Sequence, residues 1–464
     1  MITELQNDTV LQYERLRAFF ETGATRSYKF RKEALTRLYK SIQQHEGALL
    51  DAIQKDMGRN EYDAFGGDIG VIYQEITLIK KELRRWMKRE PRKTPLSLLP
   101  GKSYIIKEPL GVVLIIAPWN YPSNLSFIPL VQAIAAGNCA MVKPSEVASF
   151  TEPIILKIIE ETFAPEHVFA FPGAGADVLP PLFENVRFDK IFFTGSEHVG
   201  KIIALEAAKK LVPITLELGG KSPAILDRSA SLKLAARKLV WGKFFNTGQT
   251  CIAPDYILVP EEKFQEFVDH CKNAIRGFYG DDPSQSPNFG RIINHGHFDR
   301  ISRLMSEGTI LFGGKTNRED RYISPTILGS VDLDSPLMQE EIFGPLMPII
   351  PYENLEEAFS IIKRNPTPLS LYYFGSNKES KNLVLREISS GTGMVNHTLL
   401  HFANANLPFG GVGSSGYGKY HGLDGLNIFT NKKSIMEYPN SIDHSLFYPP
   451  FTNLKKRLAR FFLR

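Results

Sequence analysis

A chain of 464 residues exceeds what one compact core holds, and at roughly 100–200 residues per domain it reads as two or three domains. With 43% hydrophobic and 23% charged residues, the composition is that of an ordinary folded protein and excludes extended disorder. The formal charge of +5 is small, and Lys455, Lys456, Arg457, Arg460 and Arg464 at the end of the chain contribute to it, so no basic stripe marks a nucleic-acid binder.

The opening MITELQNDTVLQYERLRAFF mixes charges into its apolar residues, so neither a secretory core nor a spanning helix of ~18 apolar residues is read there. Three cysteines, Cys139, Cys251 and Cys271, are too few and too scattered for a disulfide framework or a metal site. A reducing, cytoplasmic setting is the expectation. Residues 3–57 read as amphipathic helices, with Leu11, Leu16, Phe19 and Phe20, then Leu35, Leu38, Tyr39 and Ile42, at helical spacing. LLPGKSYIIKEPLG, turning at Pro100 and Gly101, reads as a projecting hairpin that needs a pairing partner.

From Gly111 short apolar runs alternate with helical stretches: GVVLIIAPWN, FIPLVQAIAAG, CAMVKPSE, VFAFPG and KIFFTGS. That rhythm predicts parallel strands joined by crossover helices, a doubly wound α/β sheet. A second series, begun at Ile214 with ITLELGG and continued by SPAILD, IAPDYILV, PLMPIIPY, SLYYFGS and GMVNH, predicts a second α/β domain. The end of the chain, SLFYPPFTNLKKRLARFFLR, predicts a basic amphipathic helix with Leu454, Leu458, Phe461 and Phe462 on one face. It is too short and too basic to span a bilayer, and either surface contact or packing on the body suits it.

Chemistry concentrates at a few positions. Cys251 in FFNTGQTCIAPDY lies on a predicted loop between a helix and a strand, and a nucleophilic role there requires a perturbed environment. Cys139 and Cys271 fall in a strand and a helix, where a buried inert thiol is the expectation. Glu217 ends an apolar run beside two glycines, at the strand edge where catalytic groups collect, and a buried carboxylate acts as a base towards water. The Asn120 amide in APWNYP follows the most apolar strand and either forms a turn or donates to a developing oxyanion. In IFFTGSEHVGKI, Gly195 and Gly200 flank the opening of a helix that favours a phosphate. Ile202 stands where a Walker loop needs Ser or Thr, which disfavours an ATPase, and GAGADV at 173–178 lacks the third glycine of the usual dinucleotide fingerprint.

PWNYP, GNCAMVKPSE, FTGS, LELGGKSP, GKFFNTGQTCIAPDY, FGRIIN, QEEIFGPLMPI and LPFGGVGSSGYGKYHG occur in one order. Together they resemble the aldehyde dehydrogenase superfamily, in its class 3 branch, from the first helix to about residue 438. The resemblance implies that family's α/β fold, with a Rossmann-like NAD-binding domain at 1–91 and 108–216 and an α/β catalytic domain at 217–398. It assigns 92–107 and 399–440 to oligomerisation, leaving 441–464 as the tail.

By the same resemblance, Cys251 is the nucleophile, Glu217 the general base and Asn120 the oxyanion donor, in NAD(P)-dependent oxidation of medium- or long-chain aliphatic or aromatic aldehydes to acids. Lys143 holds the adenine ribose and Glu146 its 2′-hydroxyl, which favours NAD while leaving NADP possible. Ser196 beside Gly195 contacts the pyrophosphate, in a dinucleotide fold variant without the full glycine triplet. Glu341 and Phe343 position the nicotinamide ribose and ring. The presence of Glu217 favours a free acid over transfer to coenzyme A. The class 3 match, together with the missing N-terminal extension of the tetrameric classes, implies a homodimer.

Overall fold

The computed structural model describes residues 2–443 and 445–463; Arg464, counted above in the basic tail, lies outside the described residues. Helices Ile2–Glu21, Tyr28–Gln44 and Glu46–Met57 form as the apolar spacing predicts, with Leu16, Leu35, Leu38 and Ile42 fully buried. Leu11 departs from the pattern and is half exposed.

Two sheets carry the molecule. The first has six strands, in the spatial order Gly416–Tyr417, Ile214–Glu217, Lys190–Thr194, Val112–Ile116, Cys139–Lys143, Val168–Ala170. All are parallel except Gly416–Tyr417. Their five-residue apolar runs are buried on both faces, because helices cover both sides of a parallel sheet. The chain starts at the central strand Val112–Ile116, winds outward through Cys139–Lys143, then returns to its other side at Lys190–Thr194. The switch point of this doubly wound sheet, where ligands collect, therefore lies between the ends of Val112–Ile116 and Lys190–Thr194.

The second sheet has seven strands, ordered Thr309–Phe312, Thr326–Gly329, Leu346–Tyr352, Tyr256–Pro260, Pro223–Leu226, Ser370–Phe374, Thr392–Val395. Only Thr309–Phe312 runs antiparallel.

One sequence expectation needs correction. Ile214–Glu217 does not open the second series: it pairs in parallel with Lys190–Thr194 and belongs to the first sheet. An apolar run marks a strand but carries no information about its neighbours. Within 399–440, the segment assigned to oligomerisation, Gly416–Tyr417 extends the first sheet, with Gly416 opposite Glu217.

A hairpin forms, but its first strand lies upstream of the predicted segment: Glu90–Arg92 pairs with Lys102–Pro109 across a longer connection that holds Pro100 and Gly101, and Lys102–Pro109 finds its other partner in the same chain. Thr430–Glu437 pairs antiparallel along the whole of Lys102–Pro109, from Thr430 opposite Pro109 to Glu437 opposite Lys102. The tail helix spans Asn453–Leu463. Among the described residues no helix is long and apolar enough to cross a membrane.

Candidate active site

The C-terminal ends of Val112–Ile116 and Lys190–Thr194 face the N-terminal ends of the second sheet's strands across a cavity of about 640 Å³. That volume suits a sizeable small-molecule ligand. The first sheet contributes Trp119, Asn120, Thr194, Gly195, Ser196 and Glu217 to the lining. From the segments that precede strands of the second sheet come Lys221, Cys251, Glu341 and Phe343. Seven of the ten residues singled out from the sequence thus meet in one space; Lys143, Glu146 and Gly200 stand outside its lining.

Cys251 follows a loop with an unusual backbone. Helix Leu232–Phe244 ends, and Asn246 and Thr247 then take left-handed φ values of 49° and 55°, where side chains are strained. Side chains hold the loop there. Asn120 Nδ2 donates to the Gln249 carbonyl at 3.1 Å, and Asn246 Nδ2 donates to the Asn120 carbonyl at 2.9 Å. Gln249 donates in turn to the Arg291 carbonyl at 3.0 Å. Burial, with the carboxyls of Glu341 and Glu217, pushes the Cys251 thiol up, while backbone N–H groups at Cys251 and Ile252 pull it down. Cys139 and Cys271 are fully buried, and burial pushes the Cys139 thiol up to about 12.

Glu217 ends its strand only 2% exposed, and neither carboxyl oxygen has a hydrogen-bond partner among the described residues. Burial holds its pKa well above the usual carboxyl range, opposed by Lys419. Gly410 makes room for it, since a Cβ there would stand 2.7 Å from Oε1. A buried carboxyl without a partner is costly unless a ligand or water completes its bonding.

Glu341 packs over Gly219, where a Cβ would stand 2.1 Å from its Oε2. Burial and nearby Asp255 raise it to about 8, against the Gly220 N–H, Lys221 and Arg300. Phe343, at φ 49°, meets Trp119 edge-on at 5.4 Å, and Trp119 also packs on His297 at 4.9 Å. Burial and Arg300 lower His297 to about 4, so its ring is neutral near pH 7.

Ser196 caps helix Glu197–Lys209 by accepting from the Val199 N–H, and Glu197 and His198 in the same turn line the cavity. The remaining first-turn N–H groups have no intrahelical acceptor and favour an anion. Beside them Thr194 Oγ1 is buried without a partner. Gly200 serves packing: a Cβ would stand 2.7 Å from Leu218 Cδ2. Lys143 is buried at the end of its strand, donating to Glu146 at 2.8 Å and to the Pro144 carbonyl. Glu146 Oε1 also accepts the Gly175 N–H at 3.1 Å. Burial raises the Glu146 carboxyl, but Lys143 and backbone N–H groups outweigh it and hold the group below its ordinary value.

Comparison with known proteins gives this geometry its setting. The profile of the Aldehyde dehydrogenase family matches residues 10–435. The chain belongs to that family. It is 45% identical over 448 residues to 4,4'-diaponeurosporen-aldehyde dehydrogenase of Staphylococcus aureus, covering 96% of this chain and 97% of that one. To Aldehyde dehydrogenase family 3 member B3 of Mus musculus it is 42% identical, covering 96% and 93%. The substrate-bound state of Staphylococcus aureus AldH superposes with a TM-score of 0.95 at 43% identity, over 97% of this chain and 99% of that one. An indole-3-acetaldehyde dehydrogenase mutant of P. syringae in complex with NAD+ and IAA superposes at 0.85 and 26% identity, over 94% and 89%. The protein is an aldehyde-oxidising oxidoreductase of class 3 that uses NAD or NADP.

The residues fit such a cofactor: the first-turn N–H groups that the Ser196 cap leaves unsatisfied, the unpartnered Thr194 hydroxyl and Gly195 lie together at one cavity. The sequence reading missed the supports of this dehydrogenase site. Lys221 pairs with Asp255 and donates to the Leu337 and Glu340 carbonyls, both at 2.8 Å. Asp255 Oδ1 accepts the Ile342 N–H at 3.0 Å, and Arg300 donates to the Glu341 and Ile342 carbonyls at 3.1 and 2.7 Å. Lys221 and Asp255 stood inside the quoted motifs, whereas Arg300 and His297 carried no signal.

Because the thiol is pushed up, its thiolate accumulates only at high pH. Iodoacetamide alkylation of Cys251 in cofactor-free protein is expected to keep rising beyond pH 9, with Cys139 and Cys271 unreacted. A rate already level at pH 7 would contradict this.

Proposed function

We propose that Cys251, Asn120 and Glu217 together oxidise apolar aldehydes to free carboxylic acids. The observation that carries this reading is the Glu217 carboxyl: buried, without a protein partner, and facing the same cavity as Cys251. Cys251 Sγ, on losing its proton, adds to the aldehyde carbonyl carbon. The oxygen takes up the negative charge where Asn120 Nδ2 and the Cys251 N–H can donate to it. Collapse of this thiohemiacetal releases hydride and leaves a thioester on Sγ. When bound, the nicotinamide supplies the hydride acceptor. Glu217, ionised, then takes a proton from water as its oxygen attacks the thioester carbon, and the Cys251 thiolate leaves. A carboxylate destabilised by burial is a stronger base than one in water.

Gly195 and Ser196 would hold the pyrophosphate, Glu341 and Phe343 the nicotinamide end, and Lys143 and Glu146 the adenine ribose. Since Glu146 stays ionised, it repels a 2′-phosphate, which favours NAD over NADP. Half-buried Trp241, Phe245 and Phe402 join Cys251 around the main apolar cluster, supporting medium- or long-chain aliphatic or aromatic substrates. The Staphylococcus aureus relative, named for 4,4'-diaponeurosporen-aldehyde, agrees with an apolar substrate.

Two attachments belong to the same proposal. Thr430–Glu437 ends its sheet with one edge unpaired, the form of an edge strand that a second copy covers, which supports a homodimer. The tail helix exposes Leu454, Phe461 and Phe462 and carries Lys455, Lys456, Arg457 and Arg460 without an acidic residue, which supports contact with an anionic membrane surface.

Glu217→Gln is expected to keep one rapid turnover of cofactor reduction and to lose steady-state turnover by about a hundredfold or more. In the wild type, the deacylation rate is lost as pH falls through the raised Glu217 pKa, above the ordinary ~4–5 carboxyl range. A steady-state rate in Glu217→Gln equal to wild type would remove the assignment. Glu146→Gln should raise the NADP-to-NAD ratio of kcat/KM by at least about tenfold, or ~1.4 kcal/mol. An unchanged ratio would separate Glu146 from cofactor choice. The full chain should sediment with anionic vesicles and, in their absence, at the mass of two chains, whereas a version ending at Ile442 should lose only the vesicle association. Equal pelleting of both versions would end the membrane reading, and a single-chain mass would end the dimer.

A further inference from the structure

The buried pair Arg59 and Asp68 lies outside the cavity, and its contacts reach both loops that the proposed chemistry uses. Asp68 sits in a one-turn π-helix, Phe65–Ile69, a wider turn that often marks functional sites. Both side chains are almost wholly enclosed, 2% and 0% exposed. Arg59 Nη1 donates to Asp68 Oδ2 at 2.5 Å, and Nη2 donates to the Asp63 carbonyl at 2.7 Å. Burial raises the Asp68 carboxyl, while Arg59 and two backbone N–H groups pull it back.

From this pair two arms extend. On one side, Asp68 Oδ1 accepts the N–H groups of Ser123 and Asn124 at 3.1 and 3.0 Å, and Asn124 Nδ2 donates to the Gly67 carbonyl at 3.0 Å. These residues open helix Pro122–Ala136, directly after Asn120 and Tyr121, so the carboxylate holds the turn that aims Asn120. On the other side, the Arg59 guanidinium lies 4.7 Å from the Tyr121 ring and 5.9 Å from the Phe245 ring. The Tyr121 hydroxyl is 2.6 Å from Thr250 Oγ1, one residue before Cys251. Gly67 makes the approach possible, since a Cβ there would stand 2.6 Å from Arg59 Nη2 and 2.9 Å from the Tyr121 ring.

We infer that Arg59 and Asp68 form a positioning unit that sets the oxyanion donor Asn120 and the nucleophile Cys251 relative to each other. Such a unit touches neither substrate nor cofactor. It acts on the geometry of Sγ addition, and a misplacement of about 1 Å there costs on the order of a hundredfold in rate. The inference rests on the proposed roles of Cys251 and Asn120.

The test is the single-turnover rate of cofactor reduction, with saturating NAD and aldehyde, in Arg59→Met and Asp68→Asn. Circular dichroism and the Kd for NAD are measured alongside. Asp68→Asn keeps Oδ1 as an acceptor for Ser123 and Asn124 and turns an amide donor towards Arg59 Nη1, so it removes both the charge and the hydrogen bond of the pair. The expected result is a fall of about ten- to a hundredfold in that rate with the Kd for NAD unchanged. Arg59→Lys, which restores the charge but not the ring stacking, should recover part of it. If either charge variant fails to fold, Tyr121→Phe, which removes only the hydroxyl link to Thr250, should slow the same step several-fold. A rate within twofold of wild type in the folded variants overturns the inference, as does a loss shared equally by NAD binding and turnover. Cys251→Ala is run in parallel: full turnover there would sink the proposed reaction itself, whereas insensitivity at Arg59 and Asp68 alone sinks only their positioning role.

Discussion

The site exists because two loops from different sheets are tied to each other by the side chains of two asparagines. Asn120 donates to the Gln249 carbonyl, and Asn246 donates back to the Asn120 carbonyl. Neither sheet alone makes a reaction centre: the first brings Asn120 and Glu217 at strand ends, the second brings Cys251 and Glu341 ahead of strand starts. The reciprocal bonds keep these halves in one register, and they offset the strained backbone of Asn246 and Thr247.

Around that tie, charge is managed by burial. Glu217 and Glu341 are both raised, and they in turn push up the Cys251 thiol. Burial thus disfavours the charged forms of these groups in the absence of ligand, and the protonated thiol is weakly nucleophilic. Beside them the opposite solution appears: Lys221 with Asp255 and Arg59 with Asp68 are paired charges that also hydrogen-bond to the backbone. Paired charges fix the loops, and unpaired carboxyls remain free to take a proton.

Much of the fold was legible because a parallel sheet buried on both faces leaves continuous apolar runs such as VVLII and KIFFT. Which sheet each run joins was not legible, as the misplacement of Ile214–Glu217 shows. Gly416–Tyr417 is two residues long and has no pattern to read. Cys251 illustrates the same limit for chemistry: its loop was visible from the Gly and Thr before it, but its standing came from the motifs in company with it. Arg59 and Asp68 were invisible, because a π-helical turn has no sequence marker and a buried charge pair looks like two surface residues until the chain is folded.

The proposed reaction turns on a covalent bond between substrate and Cys251. Rapid acid quenching of the wild-type enzyme during turnover with NAD and an apolar aldehyde, followed by mass analysis of its peptides, reads that bond directly. The expected result is an acyl group, two hydrogens lighter than a simple aldehyde adduct, on the peptide bearing Cys251 and on no other. An acyl group on another residue, or turnover with no acyl group on Cys251 even when Glu217→Gln blocks its hydrolysis, would contradict it.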